Sequence, residues 1–158
     1  MSEDSRRGVH GTHVGLRFAV LSLLLGACTE SSLLPPSDGR LAVGTWGGNN
    51  WGVIVTDSAA HVHVGCTFGD MPGNIQLDAN GRFTVQGSYV LRAYPVQLGP
   101  SLPAVFSGRV TGSVLTLAIE VDDTVEKKVV ALGPIAVVYG RQPQMGPCPI
   151  CRAPRRWP

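Results

Sequence analysis

The chain is poor in charge: Asp, Glu, Lys and Arg make up 15% of its 158 residues. It shows no helical period of useful length, no Gly-x-Ser-x-Gly elbow and no phosphate-binding loop. Its apolar run from Phe18 to Leu25 is too short to cross a bilayer as a helix, which takes roughly 20 residues. Beyond residue 27 the only imidazoles are His61 and His63. These gaps remove a helical bundle, a membrane-spanning helix, a nucleophile-elbow hydrolase and a nucleotide-phosphate enzyme from the readings. What the chain does have is glycine, 20 residues, and proline, 12 residues. With so little charge, that composition points to short strands and many turns.

The apolar run ends in Leu24-Leu25-Gly26-Ala27-Cys28, and Arg17 supplies a positive charge before it. The stretch resembles a bacterial lipoprotein signal, in which a peptidase cuts just before a cysteine that carries lipid. Glycine at position 26 departs mildly from that pattern. The resemblance implies a signal peptide over 1–27 and lipid on Cys28. It also implies a location in the cell envelope, at the outer membrane if the cell has one, because Thr29 rather than aspartate follows the cysteine. Glu3 and Asp4 do not suit a signal's charged start, and no apolar residues directly follow Ser5-Arg6-Arg7 as a twin-arginine signal requires. The expected translation start is therefore Val9 or Val14, which leaves 1–13 without structural role.

From residue 28 onward, without Arg6, Arg7, Arg17, Glu3 and Asp4, the basic residues fall from 13 to 10 and the acidic from 11 to 9. A net of +1 gives no general pull on nucleic acid, so no nucleic-acid partner is expected. Four of those bases, Arg141, Arg152, Arg155 and Arg156, lie in a proline-rich tail over 141–158 that contains no acid. Residues 28–40, with Pro35-Pro36-Ser37, read as a flexible lipidated tether.

Residues 41–140 read as one all-β domain. Strands are expected over 41–48, 51–57, 60–68, 74–78, 82–92, 104–111, 114–121, 126–132 and 135–140. Loops are expected at 69–73 and 94–103. Side-chain parity tests each turn, since residues opposite one another in an antiparallel pair share a face. Asn49-Asn50 as a type I′ turn sets Trp46 opposite Val53. Ser58-Ala59 as a two-residue loop sets Val55 opposite Val62. In that strand Val62, Val64, Cys66 and Phe68 share the core face, and His61 and His63 the other. A three-residue loop with Gly81 left-handed sets Leu77 opposite Phe83 and Ile75 opposite Val85. Gly112-Ser113 as a type II′ turn pairs Val110 with Leu115 and Phe106 with Ile119. The expected core is Trp46, Val53, Val55, Val62, Val64, Phe83, Val85, Phe106, Val110, Leu115, Leu117 and Ile119. Eight or nine strands in an antiparallel meander hide their edges most completely as a closed β-barrel, with a two-sheet sandwich as the other solution.

Gly44-Thr45-Trp46 resembles the opening of lipocalin- and avidin-type barrels, where a Gly-x-Trp motif closes one end. Gly44-Thr45-Trp46-Gly47-Gly48, Val64-Gly65-Cys66, Asp78-Ala79-Asn80-Gly81-Arg82-Phe83 and Tyr139-Gly140-Arg141 together resemble a set of small bacterial envelope proteins. Those resemblances imply fold and compartment and no activity.

Four cysteines are present, and lipidation of Cys28 leaves Cys66, Cys148 and Cys151. The Cys148-Pro149-Ile150-Cys151 spacing also occurs in redox and zinc sites, but no βαβ pattern or second pair accompanies it. A disulfide is the expectation. A bond from Cys66 to Cys148 closes about 80 residues and restrains the unfolded chain by over 4 kcal/mol in the chain-entropy model. A bond between the close pair restrains it far less; Cys66 lies in phase with Val62 and Val64 near the end of its strand, and a tail folded over that end makes Cys66–Cys148 the expected bond, with Cys151 free or capped.

His61-x-His63 invites a zinc reading with Cys66, but strand parity sends Cys66 to the other face. Asp122 and Asp123 are adjacent, so a strand points them apart, unlike a glycosidase pair. No catalytic residues and no cofactor are expected. The expected function is a lipid-anchored envelope protein whose β-barrel is a binding or structural module. Its partner would be a small apolar ligand in a hollow interior or an envelope component. The rival reading is a metal-dependent enzyme or metal carrier using His61 and His63.

Overall fold

The computed structural model describes residues 38–93 and 99–148. Eight strands follow in order: β1 (Gly44–Gly47), β2 (Trp51–Val55), β3 (Ala59–Val64), β4 (Thr67–Pro72), β5 (Arg82–Val90), β6 (Leu102–Thr111), β7 (Val114–Asp123) and β8 (Lys128–Tyr139). Each pairs antiparallel with the next, and β8 returns to β1, so the sheet closes into a barrel. Closure excludes the sandwich.

An eight-stranded barrel has an interior about wide enough for side chains to fill. Here Trp46, Val53, Val62, Tyr89, Leu102, Phe106, Leu115, Leu117, Ile119, Val121 and Val137 fill it, each essentially without solvent exposure. Large and small inward positions alternate across strands. Gly69 faces Tyr89, and Gly108 faces Phe83. A methyl group on Gly69 would sit 2.4 Å from the Tyr89 ring, and one on Gly108 2.5 Å from the Phe83 ring. The glycines make the space that the aromatic rings occupy.

Every expected core residue faces inward; Val64, Val85 and Val110 are half-buried and pack against the core. The register of Trp46 with Val53, of Val110 with Leu115 and of Phe106 with Ile119 is as expected. Gly112 has a φ of 58° and Ser113 does not share the sign, as a type II′ turn requires. Only Asn50 takes positive φ in the first turn, 67°, so that turn is not type I′, which needs both residues there.

Five further expectations are corrected. First, the β2–β3 loop is Asp57-Ser58, and Val53 faces Val62 while Val55 faces Ala60. Parity survives the slip because the pairing moves by two. Second, the 60–68 strand breaks at Gly65-Cys66, where Gly65 has a φ of 57°. The expected loop 69–73 is largely strand β4, and Phe68 faces out beside His63 instead of joining the core. Third, 74–78 forms no strand against β5. Its amides bond the N-terminal segment: Leu41 N donates to Ile75 O at 2.9 Å and Leu77 N to Gly39 O at 2.8 Å. Ile75 and Leu41 are both buried there. Gly81 is nonetheless left-handed, at 72°. Fourth, β6 begins at Leu102, inside the expected crossing loop. Fifth, 126–132 and 135–140 are one strand, β8, with a register irregularity opposite Leu117 and Ile119.

The seam between β1 and β8 has only two residue pairs, Trp46 with Tyr139 and Gly47 with Val138. Side chains and the following segment reinforce it. The Trp46 and Tyr139 rings meet edge-on at 5.0 Å, and the Tyr139 hydroxyl donates to Val43 O at 3.1 Å. Trp51 Nε1 donates to Ala136 O at 3.0 Å. After Gly140 the chain reverses and runs back over the outside of β1 and β2. Gln144 N donates to Gly48 O, and Asn50 N to Gln144 O, at 2.9 and 2.8 Å. This strap fits because Gly47 and Gly52 carry no side chain. A methyl on Gly47 would lie 2.3 Å from the Arg141 carbonyl oxygen, and one on Gly52 2.4 Å from the Pro143 ring. The strap ends at Cys148, which is disulfide-bonded to Cys66 in the β3–β4 turn across 82 residues. That is the expected pairing, and chain entropy separates it from the close Cys148–Cys151 pair.

Candidate functional site

Among the described residues the interior offers no site of its own. It is filled, and among the described residues no buried side-chain nitrogen or oxygen lacks a hydrogen-bond partner. Its phenol among the described residues, Tyr89, is satisfied. Thr67 Oγ1 donates to Val64 O at 2.8 Å, which leaves the Tyr89 hydroxyl to donate to Thr67 Oγ1 at 2.7 Å. Burial pushes the Tyr89 phenol up to about 12. Chemistry is therefore confined to the ends and the outer face.

At one barrel end the last inward position of β7 is Asp123, whose side chain is 1% exposed. It accepts from the backbone amides of Val125 and Glu126, each at 3.1 Å, and so shapes the β7–β8 turn. Arg92 donates to both of its carboxylate oxygens and also pairs with Glu126 at 2.9 Å. The Arg92 hydrogen bonds are the main cause holding the Asp123 carboxyl below its ordinary range. Asp122 points outward and is exposed, so the adjacent carboxylates do part to opposite faces. Every group in this cluster is matched, and it reads as a structural clasp.

Two clefts outside the barrel are lined by described residues. One, of about 290 Å³, is lined by Asp38, Arg40, Thr56, Asp57 and Asn74, among others. The other, of about 480 Å³, lies over Gln86, Pro103, Val105, Glu120 and Val129 on β5–β8. Neither gathers reactive side chains.

The outer face of β3–β4 does. The Gly65-Cys66 turn sets His61 opposite Asp70 and His63 opposite Phe68. His61 Nδ1 lies 2.6 Å from Asp70 Oδ1. The carboxylate can only accept, so Nδ1 carries the proton. His61 Nε2 lies 3.0 Å from His63 Nε2. Phe68 sits 5.7 Å from both imidazole centroids and supports them from one side. Burial, reinforced by the neighbouring His61, lowers the His63 pKa, and Asp70 opposes this. A proton-sharing row Asp70–His61–His63 results, half-exposed on the sheet.

His61 and His63 share a face, as expected. Cys66 is not their partner, being bonded to Cys148. Asp70 is not legible from the sequence, because its approach follows from a hairpin at Gly65-Cys66 that the alternation of Val62, Val64, Cys66 and Phe68 presents as continuous strand. Cys28, Cys151 and three of the four tail arginines lie outside the described residues, as does the whole signal segment. Among the described residues, no three His, Cys, Asp or Glu side chains converge to hold one metal ion together, and no helix is long and apolar enough to cross a membrane. No protein-family model matches the chain, and no curated protein or solved structure matches it.

Proposed function

We propose that the protein is a lipid-anchored component of a cell envelope whose β-barrel works through its outer surface as a binding or structural module. The observation that supports a surface role is the filled interior: Trp46, Tyr89, Phe106 and the aliphatic residues around them occupy the volume that a hollow barrel would offer a small apolar ligand. The partner on this reading is an envelope component met at the outer face or at the loops. The anchor is supported by the sequence alone, through Leu25-Gly26-Ala27-Cys28 behind a short apolar run. A disulfide-bonded strap suits an oxidising compartment.

Metabolic labelling with a fatty acid tests the reading. The wild-type chain should incorporate label and sediment with membranes, and Cys28→Ser should do neither. Equal labelling of the two would remove the anchor from the proposal.

A further inference from the structure

We infer that His61 and His63 form an open two-imidazole chelate for a divalent transition-metal ion on the outer face of β3, with Asp70 as the positioning residue behind His61. A metal-ligating histidine characteristically donates its second ring N–H to a carboxylate, which fixes the tautomer and makes the free nitrogen a better ligand. His61 has that arrangement: Nδ1–H is directed at Asp70 Oδ1 at 2.6 Å, and the Nε2 lone pair is left facing His63. The two Nε2 atoms are 3.0 Å apart. Two imidazoles bound at the usual zinc distance in a tetrahedral site stand about 3.3 Å apart, so the two nitrogens must part by a few tenths of an ångström and both rings must turn until their lone pairs converge on one ion. His63 Nε2 then turns its lone pair to the ion and carries its proton on Nδ1. Phe68, against both rings, limits other rotations.

The site is a chelate of two and no more, because no third His, Cys, Asp or Glu among the described residues joins it. Its remaining positions belong to water or to a partner's ligands. That is the geometry of an exchangeable site rather than a structural one, whose four ligands come from the protein. Imidazole nitrogens suit copper, nickel and zinc, and the order of divalent affinities puts Cu²⁺ above Zn²⁺. The inference deepens the surface-binding reading and is independent of the lipid anchor, since metal binding and fatty-acid labelling are read separately.

The test uses the full chain with His10→Gln, His13→Gln, Cys28→Ser and Cys151→Ser as background, so that no other imidazole or free thiol competes, titrated with Cu²⁺ and with Zn²⁺ by calorimetry at pH 7.5. One equivalent should bind, Cu²⁺ more tightly than Zn²⁺, with the Nε2 signals of both histidines shifted in nitrogen-15 spectra on Zn²⁺ addition. His61→Gln and His63→Gln should each abolish the one-to-one step. Asp70→Asn should weaken it about tenfold and redistribute the proton between the two nitrogens of His61. Thermal unfolding without metal confirms that each variant is folded. Unchanged binding in a folded His61→Gln/His63→Gln variant would overturn the site. Unchanged affinity and tautomer in Asp70→Asn would overturn the role given to Asp70.

Discussion

The two halves of the barrel are built differently. Strands β5–β8 run from 9 to 12 residues, whereas β1–β4 run from 4 to 6. The long half needs little beyond its own ladders, with eight residue pairs in register between β5 and β6 and eight between β6 and β7. The short half is held by additions. It has the strap over Gly47 and Gly52, the Cys66–Cys148 bond, the Tyr139 and Trp51 hydrogen bonds at the seam, and Leu41 with Ile75 in the segments beside it. A sheet can close with short strands if other parts of the chain supply the missing backbone partners and exclude water from the edge. The rings of the long half also reach into the short half, since Phe106 from β6 lies against Gly69 of β4.

That reach makes Phe106 the place where the comparison breaks most severely. Its side chain is fully buried, and Phe106→Ala should cost about 3–5 kcal/mol in denaturant unfolding, with both halves lost together. Val129, on the outside of the same half and 69% exposed, is the control; its alanine variant should stay within about 0.5 kcal/mol. A loss at Phe106 below about 1 kcal/mol would mean that the inward face is assigned wrongly.

Removing the disulfide should come next in size. Cys148→Ser should lower stability by about 2–4 kcal/mol. Hydrogen exchange sharpens the point. The amides of Asn50 and Gly65, bonded to Gln144 O and Asn50 O, should lose more protection than those of β6 and β7. Uniform loss across the barrel would show that the bond acts only on the unfolded chain.

The smallest effect should follow from Gly47→Ala, which sets a methyl against the Arg141 carbonyl. A cost of about 1–3 kcal/mol is expected, with faster proteolysis after Arg141 as the strap lifts. Val85→Ala, at a half-buried position in the long half, should leave that proteolysis unchanged.

The same division governs how far the sequence could be read. In β6 and β7 the alternation persists for ten residues each, so the Gly112-Ser113 turn has one register that keeps Phe106, Val110, Leu115 and Ile119 on one face. In β3–β4 the alternation Val62, Val64, Cys66, Phe68 runs on through the Gly65-Cys66 turn and conceals it. The inward residues of β4 are Thr67, Gly69 and Met71, which do not look like a core face. Met71 is an ordinary core residue, but Gly69 is small and Thr67 polar because Tyr89 from β5 fills the space at Gly69 and bonds Thr67. Ile75 and Leu77 alternate like a strand, yet their segment bonds residues 39–41 instead of β5. Asp70 beside His61 follows only once the hairpin is known, so the sequence shows the histidine pair but not the carboxylate behind it.

The sequence by itself determined the all-β class, the antiparallel meander, the inward parity of nearly every core position and a long-range bond from Cys66 to the tail in place of the close Cys148–Cys151 pair. These depend on neighbouring strands, loop lengths and chain entropy, all of which are written locally. Tertiary structure decided the two-pair seam, the path of the strap over Gly47 and Gly52, the outward turn of Phe68 and the meeting of Asp70 with His61. Those depend on which side chain occupies a shared volume, and a small residue shows its reason only when the large one from a distant strand is in place.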